Sequence, residues 1–325
     1  MSDALLSTPV ALSAGVVAAG LLAVAGAKVK KNENPTLVPL MGVMGAFVFA
    51  AQMINFSIPG TGSSGHIVGG VLLAALLGPW AAFITLASVL IIQCLIFSDG
   101  GLLALGCNII NMGAMSALVA YPLIFKPIVG KSANPWRVAL GSVAACVIGL
   151  ELGACLVTGE TELSGITALG TGKFMALMAG IHLPIGIGEG LATAAILAFV
   201  ARTRPDLLHG RTSLPQKKSV RKAVVAFAVA ALVVGGGLVW FASSNPDGLE
   251  WSVARTTGQE ELKPEHETTI SQGAAKITKA TAVIPDYESP LSGIIGAVLV
   301  LMVVWGITAA LVRKPHALPQ ESDNV

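Results

Sequence analysis

The side chains able to do chemistry in this chain are few, and they stand against an apolar background. His66 sits in Gly60-Thr61-Gly62-Ser63-Ser64-Gly65-His66-Ile67-Val68-Gly69-Gly70, a Gly/Ser loop between two long apolar runs. An imidazole there offers a lone pair to a metal ion or titrates near neutral pH. The glycines around it allow unusual dihedrals and close approach of another segment. A Gly/Ser loop gives little structural reason to keep an imidazole, so His66 reads as functional. Asp99, in Phe97-Ser98-Asp99-Gly100-Gly101, reads as an ordinary turn residue. Asn108 and Asn111 lie three apart and would share a helix face. Such amides glue membrane helices together more often than they touch a substrate. His182 and Glu189 are seven apart, two helical turns along one face, and would form either a pair holding helices in register or part of a transport path. Glu151 needs a partner that the sequence does not name. Gln52 and Asn55 stand near the end of an apolar run.

The elements that must position these groups are membrane helices. The 325 residues are 54% hydrophobic and only 12% charged, with mean hydropathy +0.77, whereas soluble domains carry about 25% charged residues. The fold class is therefore an all-α integral membrane protein. Apolar runs place spans at 8–27, 38–56, 67–79, 81–97, 101–125, 138–158, 174–201, 222–242 and 289–312, the third short and parted from the fourth by Gly78-Pro79. Fifteen of the 20 Lys and Arg fall on one side of this arrangement. The positive-inside rule then puts the N-terminus outside and the C-terminus in the cytoplasm. The basic run after Ala27, with no basic residue before Thr8, marks a retained first span and not a cleaved leader. The natural division is a seven-span core bundle (1–201), a basic cytoplasmic linker (202–221) and a two-span C-terminal appendage (222–325) with a polar outer loop at 243–288. That loop, His266 included, reads as solvated and partly disordered.

Several classes are excluded. The net charge of +2 gives no footing for nucleic acid. Gly172-Lys173 is not a phosphate loop, since Thr167 stands where a glycine is required and Phe174 follows the lysine. There is no H-E-x-x-H and no G-x-S-x-G, so no protease or other enzyme chemistry is indicated. Cys94, Cys107, Cys146 and Cys155 form no C-x-x-C pair and read as small buried hydrophobes. A transporter or channel subunit fits, embedded in lipid and without an ATPase motif or a permanently bound cofactor.

The run Ser64-Gly65-His66-Ile67-Val68-Gly69-Gly70, the turn Phe97-Ser98-Asp99-Gly100-Gly101, Asn108-Ile109-Ile110-Asn111-Met112-Gly113 and His182-Leu183-Pro184-Ile185-Gly186-Ile187-Gly188-Glu189-Gly190 together resemble the CbiM/NikM family. Its members are substrate-binding membrane components of energy-coupling factor (ECF) importers for cobalt and nickel. The resemblance covers roughly residues 1–201. Asn245-Pro246-Asp247-Gly248-Leu249-Glu250 and Ile284-Pro285-Asp286-Tyr287 resemble the small two-span partner CbiN/NikN, whose signature contains Pro-Asp-Gly-Leu-Glu. The resemblance implies an M–N fusion that captures Co2+ or Ni2+ as substrate in a bacterial or archaeal plasma membrane. It also implies separate partners: cytoplasmic ATPase (A) subunits and a membrane coupling (T) subunit. The rival reading is a self-sufficient channel or secondary transporter that uses His182, Glu189 and Glu151 as an ion path.

The family's site is built from nitrogen: the terminal amine, the backbone nitrogen and imidazole of a histidine at position two, and the histidine matching His66. Such a tetragonal set suits Ni(II), and Co(II) accepts the same ligand types. Here the implied ligands are His66 and the Met1 nitrogens, and position two is Ser2. The start Met1-Ser2-Asp3-Ala4 resembles the family start with a Met-His pair missing. The expectation is an in-frame Met-His immediately upstream. Sequencing the upstream DNA and the N-terminus of the purified protein checks it, and a start at Met1-Ser2 in both would sink it.

Overall fold

The computed structural model describes residues 1–31, 36–130, 134–166, 168–208, 220–259, 262, 268–285 and 290–311. The basic residues Arg211, Lys217 and Lys218 of the linker, His266, Asp286, Tyr287 and the C-terminal Arg313 and Lys314 lie outside the described residues.

A 3₁₀ turn at Asp3–Leu5 leads into α1 (Thr8–Lys30). Then follow α2 (Leu37–Gln52), a hairpin of β1 (Phe56–Ile58) and β2 (Ser63–Gly65), α3 (Gly70–Leu77) and α4 (Pro79–Phe97). The core closes with α5 (Leu105–Val129), α6 (Pro135–Leu163) and α7 (Thr171–Thr203). The C-terminal part consists of α8 (Val220–Gly236), α9 (Gly248–Thr257), α10 (Thr269–Thr281) and α11 (Pro290–Leu311). Among the described residues, six helices are long and apolar enough to cross a membrane: α1, α4, α5, α6, α7 and α11.

The third expected span is resolved differently. α3 has 8 residues, about 12 Å of helix at about 1.5 Å per residue, less than half the hydrocarbon thickness of about 30 Å. Its apolar run begins earlier in sequence, but Ile67, Val68 and Gly69 are not helical. Gly69 caps the helix in the left-handed region (φ +81°), and a Cβ there would press on Val48. At the other end Gly78 (φ +85°) and Pro79 break α3 from α4. Proline suits the first turn of α4, where its missing N–H would have had no partner.

Close helix crossings hold the bundle. α6 and α7 meet through Gly186, whose added Cβ would lie 2.7 Å from Val147 Cα, and through Gly190, whose Cβ would overlap Val143 Cα. α11 lies on α2, with Gly296 against the ring of Phe49, which in turn packs on Phe97 (centroids 5.4 Å apart). α8 crosses α11 where Gly235 and Gly293 leave no room for a side chain on either helix. Small residues at such crossings let backbones approach, where packing and not hydrophobicity drives association in lipid. The appendage is thus seated on α2 of the core. α5 carries a long wide-turn segment, Ile109–Phe125, with i→i+5 hydrogen bonds that sets Asn108 and Asn111 apart from a plain α-helical register.

Within 243–288 the described residues include two capped helices, α9 and α10, and not only solvated loop. Asp247 accepts from Glu250 N at the start of α9, and Glu250 accepts in return from Asp247 N. Thr268 and Ser271 do the same for α10. Reciprocal capping satisfies amides that otherwise need water. Cys155 differs from the other three cysteines: it is exposed on α6 beside the exposed Leu152, on an outward apolar face.

Overpacking a tight crossing costs about 1–3 kcal/mol. Gly296→Val is expected to lower the melting temperature of the detergent-purified protein, and unchanged melting would mean that α11 does not rely on that contact.

Candidate functional site

The residues singled out in sequence converge on one cavity of about 330 Å3. Met1, Gln52, Asn55, His66, Asp99, Asn108, Asn111 and His182 all line it, and so does the segment 244–250 of the appendage. Glu151 and Glu189 do not line it.

His66 follows directly on β2. The hairpin pairs Phe56 with Gly65, Ser57 with Ser64 and Ile58 with Ser63, turning through Gly60 (φ +77°) and Gly62 (φ +74°), positions that favour glycine. Gly65 lies against Ile185 of α7 with no space for a Cβ. The imidazole is half-buried, with Nδ1 3.1 Å from Ile67 O. A carbonyl only accepts, so Nδ1 is the donor here, and in the neutral ring Nε2 then keeps its lone pair.

The N-terminus is lodged beside it. Met1 O accepts from Gly101 N at 3.2 Å and from Asn108 Nδ2 at 3.3 Å. Asp3 Oδ1 accepts from Ala104 N at 2.9 Å, and Gly101 has no room for a Cβ because Asp3 fills that space. Burial raises the Asp3 carboxyl above its ordinary range, against the lowering effect of the amides of 102–104 and of the terminal amine. Asp99 is more than the turn residue expected. Its side chain is exposed to the cavity, whose surrounding protein still desolvates it and raises its carboxyl; the terminal amine and His66 pull it down, and Asp247 pushes it up. An amine, an imidazole and a carboxylate therefore share one field.

The two asparagines part company. Asn108 holds the N-terminus, while Asn111 Nδ2 donates to Glu160 Oε2 of α6 at 2.8 Å. His182 and Glu189 do share a face of α7, yet they are not bonded to each other. His182 Nδ1 meets Met178 O at 2.7 Å, and Glu189 Oε1 accepts from Gly69 N at 2.9 Å. Glu151 Oε1 finds no hydrogen-bond partner among the described residues. Gln93 lines the cavity, and Asp3 and Glu160 stand behind it, bonded to Ala104 and Asn111; none of the three stood out in sequence as a site residue. Asp3 carries a signal, as the one acid in an otherwise uncharged apolar start, but Gln93 and Glu160 carry none.

The appendage closes the rim of the cavity. Ser64 N donates to Pro246 O at 2.8 Å and Ser64 Oγ to Asn245 O at 2.7 Å. Trp251 Nε1 donates to Thr61 O at 3.0 Å, and Ser243 N to Asn55 O at 2.7 Å. Gly248 is pressed on α7: an added Cβ would lie 2.9 Å from Ile185 Cδ1 and 3.2 Å from His182 Cε1. The run Pro246 to Glu250 thus supplies an acceptor for the hairpin, a helix cap, a close contact and the cap's return bond in sequence. Burial, then the neighbouring Asp247, raise the Glu250 carboxyl. Among the described residues no three His, Cys, Asp or Glu side chains are grouped to hold a metal ion. A metal at this cavity would therefore need nitrogen from the backbone or the terminal amine beside His66.

Residues 1–207 match the model for the cobalt uptake substrate-specific transmembrane region, CbiM. The chain belongs to the CbiM family. Residues 221–313 match the PDGLE domain. The chain is similar to the putative fused nickel transport protein NikMN of Archaeoglobus fulgidus, 31% identical, with 88% of this chain and 91% of that protein covered. It is also similar to the probable fused nickel transport protein LarMN of Lactiplantibacillus plantarum, 30% identical, with 90% and 87% covered. A crystal structure described as a transition metal transporter superposes with TM-score 0.54 at 31% identity, covering 62% of this chain and 92% of that one. As a CbiM-family member with six apolar helices, the chain is a multi-pass membrane protein of cobalt and nickel transport.

Gly248→Val is expected to lift the 244–250 segment off α7 and free the Ser64 amide. Hydrogen exchange in the 61–66 peptide should then accelerate, and unchanged protection would show that the rim contact tolerates a side chain.

Proposed function

We propose that this chain is the substrate-capture subunit of an ATP-driven, ECF-type importer of Co2+ or Ni2+. The observation that carries the proposal is the meeting of Met1 and His66 in one cavity, 65 positions apart in the chain. In this reading the ion is held by the His66 imidazole and nitrogens of the N-terminus, while Asp99 tunes that set and Asn108 fixes it. Part of that set is present: the Met1 carbonyl is tied down by two donors, which fixes the backbone there, and the His66 tautomer leaves Nε2 available, while Ser2 supplies no imidazole. His182, with Nδ1 also engaged, supports the wall under Gly248.

The division into a metal-binding core (1–201), a linker (202–221) and an appendage (222–325) belongs to the same proposal. So does the orientation with the N-terminus outside and the C-terminus in the cytoplasm of a bacterial or archaeal plasma membrane, supported by the Lys and Arg distribution. The appendage supplies the rim that holds the hairpin. Energy comes from ATPase subunits acting through a membrane coupling subunit, supported by the absence of a phosphate loop in this sequence.

His66→Ala is expected to abolish Ni2+ and Co2+ uptake in cells co-expressing the partner subunits, with membrane expression intact; wild-type uptake would refute the site. Omitting the ATPase subunits should remove uptake from the wild type as well. Persistent uptake there would favour the channel or secondary-transporter reading. Ligand nitrogens must be unprotonated to bind, so Ni2+ uptake should fall as the medium is acidified, and a flat pH profile would count against a nitrogen site.

A further inference from the structure

Just beyond His66 the chain passes through the bundle without secondary structure. Backbone of that kind inside a membrane bundle survives only where its polar groups find partners. The peptide plane joining Val68 to Gly69 finds both of its partners in side chains. Gln52 Nε2 of α2 donates to Val68 O at 2.9 Å, and Glu189 Oε1 of α7 accepts from Gly69 N at 2.9 Å. A trans peptide points its C=O and N–H in opposite directions, so α2 and α7 grip the same plane from its two sides. Gln52 is itself held by Gln93 Nε2 of α4 at 2.8 Å. Gln52 is 2% exposed, Gln93 6% and Glu189 1%, so little of these side chains is open to solvent. The grip also fixes Gly69 at φ +81°, a conformation in which rotation of the plane would be the easy route of escape.

We propose that Glu189 and Gln52 are positioning residues for metal capture: by clamping the Val68–Gly69 peptide they set the depth and direction of the segment that presents His66 to the cavity. The inference rests on the reading of His66 as a metal ligand. Glu189 does not line the cavity and acts through the backbone; Gln52 borders the cavity, but its Nε2 is engaged by Val68 O and its Oε1 by Gln93. Loss of the acceptor at Glu189 or of the donor at Gln52 lets the plane turn, and the imidazole then samples orientations that do not point Nε2 into the cavity. The active element at Glu189 is a carboxyl oxygen and not a charge, since the amide of a glutamine offers the same acceptor.

The test uses the full-length chain in detergent micelles and Ni2+ as probe. Affinity, the visible absorption band of bound Ni2+ and the melting temperature are measured for wild type, Glu189→Ala, Glu189→Gln, Gln52→Met and His66→Ala. Supporting residues behind metal ligands typically contribute about 10–100-fold in affinity. Glu189→Ala and Gln52→Met should each weaken Ni2+ binding by about that factor and shift the band, with melting close to wild type, while Glu189→Gln stays well inside that range, within about 3-fold of wild type. Wild-type affinity and band in Glu189→Ala would overturn the proposal. Equal losses in Glu189→Gln and Glu189→Ala would overturn it too, because charge and not the clamp would then be at work. If Glu189→Ala does not fold, Gln52→Met decides. If His66→Ala binds Ni2+ like wild type, it is the metal-ligand reading that fails, whatever the other variants do.

Discussion

Peptide groups without a partner inside a membrane bundle are the constraint from which this structure follows. Each helix satisfies its own, but the stretch from Ser63 to Gly69 cannot. It borrows from every side: β1 across the hairpin, Pro246 O at the rim of the cavity, Gln52 from α2 and Glu189 from α7. An unsatisfied buried amide or carbonyl costs about 1–3 kcal/mol in proteins, so removing any one lender weakens the whole run. The reward is an imidazole held at a cavity on a backbone that no helix would allow, since helical Cβ directions would aim it along a bundle seam.

The same logic explains why the appendage belongs to the chain. Its five-residue run from Pro246 to Glu250 does not contribute a cluster of metal ligands; it completes the hydrogen bonding of the hairpin and caps its own helix. Tethering through the linker turns that encounter into an intramolecular one, with an effective concentration set by chain length and not by expression level. Seating α8 and α11 on α2 through glycine crossings fixes where the run arrives.

The long spans are legible in the sequence because a run of about 20 apolar residues matches the bilayer core and far exceeds a buried strand. Thr8, Phe97 and Thr203 lie within a few residues of the expected ends. The third span is not legible in the same way. Hydropathy treats Ile67 and Val68 like helical neighbours, whereas the backbone there is fixed by side chains 16 and 120 positions away. His182 and Glu189 fall on one face as their spacing predicts, since helical period is local, but the partners of each come from other positions. Asp99 reads as a turn residue because its turn is visible in sequence and the terminal amine near it is not. Asp247 and Glu250 stand at the spacing of a capping box, a local signal of helix that the polarity of 243–288 obscures.

The rim formed by residues 244–250 has a kinetic meaning. A cover that touches the walls and not the ion adds equally to the barriers of arrival and departure. It then lengthens residence without changing the equilibrium constant. An ion already inside would outlast brief drops in its external concentration, and a scarce one would be admitted no faster than the cover opens. On the proposed reading, the contacts that Ser64 and Gly248 make with that cover would bear on how long an ion stays as well as on how it is held.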